Sequence, residues 1–290
     1  MISRLGILFM RAIAPLPLPV VRALGAALGA LLYVIVIPRR RIALRNLELC
    51  FPVWTPAQRR RTVWRHFICF AQAWLDRGWL WHAPAEVVRQ RLSLTGAVDE
   101  IAGESPVILF VPHFLGLDAG VTALTLLTQR RIMGVYTRQS NAIVDEWIFE
   151  GRHRFAQEDS RGLHRSEGVR EMIAAVRGGA AMYLLPDMNF GAEDSIFVPF
   201  YGVQAATLPS LSRFSRLCRA KVVPLLTKLT DTGYEVRLLP SWTGYPTSDV
   251  AADTALMNKR LEGYIDTMPE QYYWVHKRFK SRPPGEPPLY

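Results

Sequence analysis

Residues 107–120 read VILFVPHFLGLDAG. Five apolar residues run into a proline, a histidine follows at once, and an aspartate comes five positions later. In one continuous α-helix, residues five apart lie about 140° apart around the axis, so His113 and Asp118 would face different ways. A strand over 107–111, a turn over 112–114 and a helix from Leu117 remove the difficulty. The imidazole then sits in the turn, and the carboxylate one turn into the helix can fold back to hold it.

Working outward, apolar runs of strand length alternate with segments of helical period. Strands are predicted at 107–111, 132–136, 181–185, 221–226 and 234–239. Helices are predicted at 117–127, 142–157, 167–177, 209–218 and 249–268, after one long helix over 56–80. Such alternation predicts an α/β domain with a largely parallel central sheet flanked by helices. In open α/β sheets, ligands gather beyond the carboxyl ends of the strands. Two strands here end alike, VILFVPH and MYLLPD, which places His113 and Asp187 near one edge.

The first 45 residues hold seven arginines and no acidic residue, leaving 28 basic against 25 acidic residues elsewhere in a chain of net charge +10. The arginines bracket the most apolar stretch, 23–37, which has 15 uncharged residues where a simple membrane span needs about 20. A basic collar beside an apolar helix suits an anionic membrane surface better than nucleic acid. Residues 1–37 are therefore read as a membrane anchor and 38–290 as the α/β domain. Three cysteines, Cys50, Cys69 and Cys218, with no C-x-x-C pair, suggest a reducing compartment rather than a disulfide framework.

The chain contains no G-x-x-x-x-G-K-[ST] phosphate loop, no G-x-S-x-G nucleophile elbow and no H-E-x-x-H metal pair. No metal and no bound cofactor are expected. Ser105 precedes the strand, so it is badly placed for activation by His113. What remains is a histidine with a carboxylate, suited to taking a proton from a hydroxyl that the substrate brings. Arg152 and Arg154, in EGRHRF, are candidates for contact with lipid phosphates.

The HFLGLD segment resembles the H-x-x-x-x-[D/E] motif of the glycerolipid acyltransferase superfamily. The blocks RRRIALRNLELCFP, LPDMNFG, SIFVPFYGVQAAT, AKVVPLL and PEQYYWVHKRFKSRPPGEPPLY narrow the resemblance to the late lipid A acyltransferases of Gram-negative bacteria. That resemblance implies an acyltransferase-like fold and transfer of a fatty acyl chain from acyl carrier protein to a hydroxyl of a Kdo-bearing lipid A precursor. The place implied is the cytoplasmic face of the inner membrane. Carried over position by position, it makes His113 the general base and Asp118 its acidic partner. Arg165, Asp187 and Gly191 match substrate-side positions, although 187–191 lacks the arginine of the wider superfamily. A glycerol-phosphate or lysophospholipid acyltransferase, or a non-catalytic lipid-binding protein on the same fold, are the competing readings.

Overall fold

The computed structural model describes residues 2–136, 138–157, 162–164 and 168–290. Six helices come first: α1 (Ile2–Ile13), α2 (Leu18–Ile35), α3 (Ile37–Cys50), α4 (Pro56–Leu75), α5 (Arg77–His82) and α6 (Ala85–Gln90). The alternating region follows as β1 (Leu92–Gly96), β2 (Val107–Phe110), α7 (Leu117–Leu127), β3 (Ile132–Tyr136), α8 (Ala142–His153), β4 (Gly162–His164), α9 (Val169–Arg177) and β5 (Ala181–Leu184). The chain continues through a hairpin of β6 (Ile196–Phe200) and β7 (Val203–Thr207), then α10 (Ser210–Cys218), β8 (Lys221–Thr230), β9 (Gly233–Leu238) and α11 (Val250–Thr267).

Seven strands form the main sheet in the order β1-β9-β8-β2-β5-β3-β4. All neighbours pair parallel except β8 and β9, which form an antiparallel pair. The largely parallel sheet expected from the sequence is present, with β1 and β9 running against the rest. β2 lies at its centre and is fully buried on both faces, as an all-apolar run in a helix-covered sheet must be. Ile108 and Phe110 point to one core layer, and Val107, Leu109 and Val111 to the other.

Two features of the quoted stretch let α7 lie flat on this sheet. A Cβ on Gly116 would come within 2.6 Å of Thr227 and 2.9 Å of the Tyr234 ring. A Cβ on Gly120 would meet the Thr227 hydroxyl at 2.6 Å and the Tyr183 hydroxyl at 2.8 Å. Glycine is required at both places by close approach. The helix expected over 56–80 is broken at Asp76, which is buried and binds Trp79 Nε1 at 2.8 Å and the Tyr234 hydroxyl at 2.7 Å.

The N-terminal helices are packed onto this body. α2 is antiparallel to α4: Gly25 lies against Gln72, Gly29 against Ile68 and Phe67, and Tyr33 edge-on to Trp64 at 5.1 Å. The boundary expected at residue 37 therefore falls inside a packed unit. α2 is long and apolar enough to cross a membrane by length and composition, with mean hydropathy 2.0.

Candidate active site

The parallel register of β2 and β5 builds the site. Phe110 pairs with Leu184, and each strand then continues through one residue, a proline and an ionisable side chain. His113 and Asp187 therefore stand at equivalent places past neighbouring strand ends, on the edge where such sheets bind ligands. The imidazole Nδ1–H donates to Asp187 Oδ1 at 2.7 Å, and the His113 backbone N–H donates to Asp187 Oδ2 at 2.9 Å. Both carboxylate oxygens are thus fixed by one residue. Burial alone would raise the Asp187 carboxyl, but the imidazole beside it outweighs this and the shift is downward. With Nδ1 committed to the carboxylate, Nε2 is the nitrogen left to accept a proton.

The turn that carries His113 is clamped from the C-terminal side. Tyr273 N–H donates to the His113 carbonyl and Leu115 N–H to the Gln271 carbonyl, both at 2.9 Å. The Asp187 loop is held by Asn189, whose N–H donates to His276 Nε2 at 3.0 Å. Gly191 turns that loop at φ +109°, and its N–H donates to Asn189 Oδ1 at 3.1 Å. Gly191 shapes the backbone here.

Asp118 does not hold the imidazole. This corrects the geometry expected from the H-x-x-x-x-D spacing. Its carboxylate faces α5 and α8, where Arg77 Nε donates to Oδ2 at 2.7 Å and Arg152 Nε to Oδ1 at 2.8 Å. Burial would raise this carboxyl, but Arg152 and then Arg77 outweigh it and hold it well below the usual carboxylate range. Arg77 also stacks on Trp74, 4.1 Å from the ring centroid. Gly151 admits the Trp81 ring, which a Cβ would overlap at 2.2 Å, and so lets α8 bring Arg152 to Asp118. Two guanidinium groups on one carboxylate leave a net positive patch, with the Arg152 side chain 37% exposed.

Arg154 is tied up otherwise, donating to the carbonyls of Leu80 and Ala83, so it is a brace between α8 and the α5 segment. Arg165 lies outside the described residues. Sequence reasoning missed Arg77 altogether. The signal was the acidic-basic pair Asp76-Arg77 set between Trp74 and Trp79 in an otherwise apolar segment. Among the described residues, no group of three His, Cys, Asp or Glu side chains converges as a metal site would need. Burial pushes the Cys69 thiol up to about 11 and also raises Cys50 and Cys218, which leaves none of them a ready thiolate nucleophile.

A model of the bacterial lipid A biosynthesis acyltransferase family matches residues 1–281. The chain belongs to that family. Similar proteins include the lipid A biosynthesis lauroyltransferase of Escherichia coli K12, 32% identical across 99% of this chain and 94% of the relative. The palmitoleoyltransferase of the same strain is 32% identical over 95% of this chain and 90% of its own length. The myristoyltransferase is 32% identical over 85% and 77%. Three relatives named for three different acyl groups stand at the same identity, so overall similarity does not choose among acyl chains. Of the readings left open by the residues, the family selects the first: this protein is an acyltransferase.

Proposed function

We propose that this acyltransferase moves a fatty acyl chain from acyl carrier protein to a hydroxyl of a Kdo-bearing lipid A precursor, at the cytoplasmic face of the inner membrane. The observation that carries the mechanism is the His113–Asp187 pair at matched ends of β2 and β5. His113 Nε2 takes the proton of the acceptor hydroxyl as its oxygen attacks the thioester carbonyl. Asp187 holds the ring in the Nδ1–H tautomer and favours the imidazolium that forms. The C–O bond forms, the C–S bond breaks, and the carrier thiolate leaves with the proton returned by the imidazolium.

The described hydrogen bonds of the His113 ring include no serine or cysteine, which favours direct attack over an acyl-enzyme. In this reading the Arg77–Asp118–Arg152 cluster meets a phosphate of the precursor, since guanidinium groups suit phosphate geometry, and Arg165 is a candidate for the same substrate on the resemblance alone.

The test is mass spectrometry of lipid A from cells lacking the protein and complemented with wild type or His113→Ala. Wild type should restore one acyl chain and His113→Ala should not. Restoration by a stably folded His113→Ala protein would overturn the mechanism. An unchanged lipid A profile with and without wild type would overturn the substrate. Acyl carrier protein bearing a labelled chain, incubated with the enzyme and no acceptor, should leave no label on the protein.

A further inference from the structure

A basic, apolar N-terminus of this kind invites a picture of one helix crossing the bilayer with the enzyme hanging below. We infer instead that α1 and α2 lie on a single anionic leaflet and that neither crosses it. The inference rests on the membrane association proposed above and fixes its geometry.

α2 has two different apolar faces. Val20, Leu24, Ala27, Leu31 and Val34 recur every three or four residues and, with the adjoining Ile35, are all exposed. The opposite face carries Val21, Arg22, Gly25 and Gly29, all buried. A Cβ on Gly29 would stand 2.5 Å from Ile68 Cα and one on Gly25 2.8 Å from Gln72 Cα, so the α2 and α4 backbones are in contact. Arg22 seals the joint, pairing with Asp76 at 3.2 Å and donating to the Gly233 carbonyl at 3.1 Å. A membrane span docked this closely would take α4 into the hydrocarbon with it. α4 carries Arg59, Arg60, Arg61 and Arg65 in its first half, and burying such a row of charges in lipid is prohibitive.

α1 gives a second, independent constraint. Its last turn packs on α5, where a Cβ on Gly78 would meet the Met10 carbonyl oxygen at 2.8 Å and Ile13 at 3.0 Å. Its first turn touches α8, with Asn141 Nδ2 donating to Ser3 Oγ at 3.0 Å. If α2 crossed the bilayer, α1 would be on the far side from α5 and α8. The contacts forbid this.

What remains outside is an apolar surface of Leu5, Leu8 and Phe9 on α1 and the exposed stripe of α2. It is flanked by exposed Arg39 and Arg41, and Trp64, exposed on α4, meets Tyr33 of α2. The first acidic residue of the chain is Glu48. Apolar area rimmed by arginine and tryptophan matches an anionic interface, where helices sink their apolar face to the acyl boundary.

Two measurements test the arrangement on the full chain. The first places thiols at Ser3→Cys and Asn141→Cys in a Cys69→Ala background, and treats membranes from expressing cells with a short bifunctional thiol reagent. The membrane-bound protein should cross-link internally. Cross-linking in detergent but not in the membrane would show that α2 spans, and no cross-linking in either would remove the docked α1 on which the inference stands. The second is flotation of purified protein with phosphatidylethanolamine vesicles with and without phosphatidylglycerol. Leu31→Glu/Val34→Glu should lower binding to the anionic vesicles at least about tenfold while thermal unfolding stays cooperative. Undiminished binding, or loss of a dimer in place of lipid binding, would overturn the seat. Wild type that floats with no vesicle would instead overturn the membrane association itself.

Discussion

Asparagine at position 187 and asparagine at position 118 are expected to damage the protein in different ways. Asp187→Asn keeps the size of the side chain but turns an N–H toward one of the two donors of His113, so the ring loses its fixed tautomer. Turnover should fall by at least about 100-fold, and the limb of the pH–rate profile belonging to the base should move. Asp118→Asn leaves Arg77 and Arg152 facing each other without their shared carboxylate. The expected loss is stability, about 2–4 kcal/mol by urea unfolding, below the full figure for a broken buried pair because Arg152 is 37% exposed. The shape of its pH–rate profile should stay that of wild type. A reversal of these two phenotypes would return Asp118 to the imidazole. His113 was legible in the sequence because an apolar run ending in proline marks a strand end. Its partner was not, since 74 residues separate it from Asp187 and only the β2–β5 register brings them side by side. The matched endings V-P-H and L-P-D were visible; that the ring would choose the neighbouring strand over its own helix was not.

Among the elements, α2 and α4 form a joint sensitive to a single added methyl group. Gly29→Ala places a Cβ on Ile68 backbone, which cannot rotate away, so the helices must separate. The cost is expected at about 1–3 kcal/mol in thermal or urea unfolding. Gly6→Ala, where a Cβ meets nothing within 4 Å, is the matched control and should be neutral or slightly stabilising. Equal effects from both would mean that helix propensity, not packing, governs the joint. Most strands and helices of the α/β region were readable from the period of their apolar residues, and half of them end at Pro or Gly. The exceptions have physical causes. The β6–β7 hairpin turns on Tyr201-Gly202, with φ of +50° and +78°, and tyrosine gives no turn signal there. β1 is half-exposed at the sheet edge and so lacks an apolar run. The helix break at Asp76 depends on Trp79 and Tyr234, one of them far along the chain.

For the whole molecule, buried titratable groups set the acid limit. His66 is fully buried, with Nδ1–H donating to the Glu270 carbonyl at 3.1 Å, and burial pushes its pKa down to about 4. His276 is lowered to about 4 as well, by burial first and then by Arg278 and His113. An unfolded histidine titrates near 6.5, so between about 4 and 6.5 the unfolded chain binds more protons than the folded one. Stability is therefore lost as pH falls through that window, at about 1.4 kcal/mol per pH unit for each histidine. Asp118 and Asp187 are also shifted downward, from the ordinary carboxylate value. Their contribution is complete above about pH 4 and is lost as pH falls further. Urea midpoints should decline in two stages on acidification, and His66→Phe should make the first stage shallower by about one proton. A slope unchanged by His66→Phe would show that His66 protonates in place.

The position of β2 at the centre of the sheet has a consequence for the order in which the protein is made. Its parallel neighbours are β5 and β8, so residues 107–110 must wait for residues 181–184 on one edge and 221–224 on the other. At roughly 5–20 residues per second, the second wait lasts about 6–23 s. Throughout it a strand of Val, Ile, Leu and Phe, with no charge and an open hydrogen-bonding edge, stays on the growing chain. Such a segment is the kind that pairs with other copies of itself when nothing else is offered. The strand that positions the catalytic histidine is thus also a stretch of nascent polypeptide with a use for a chaperone.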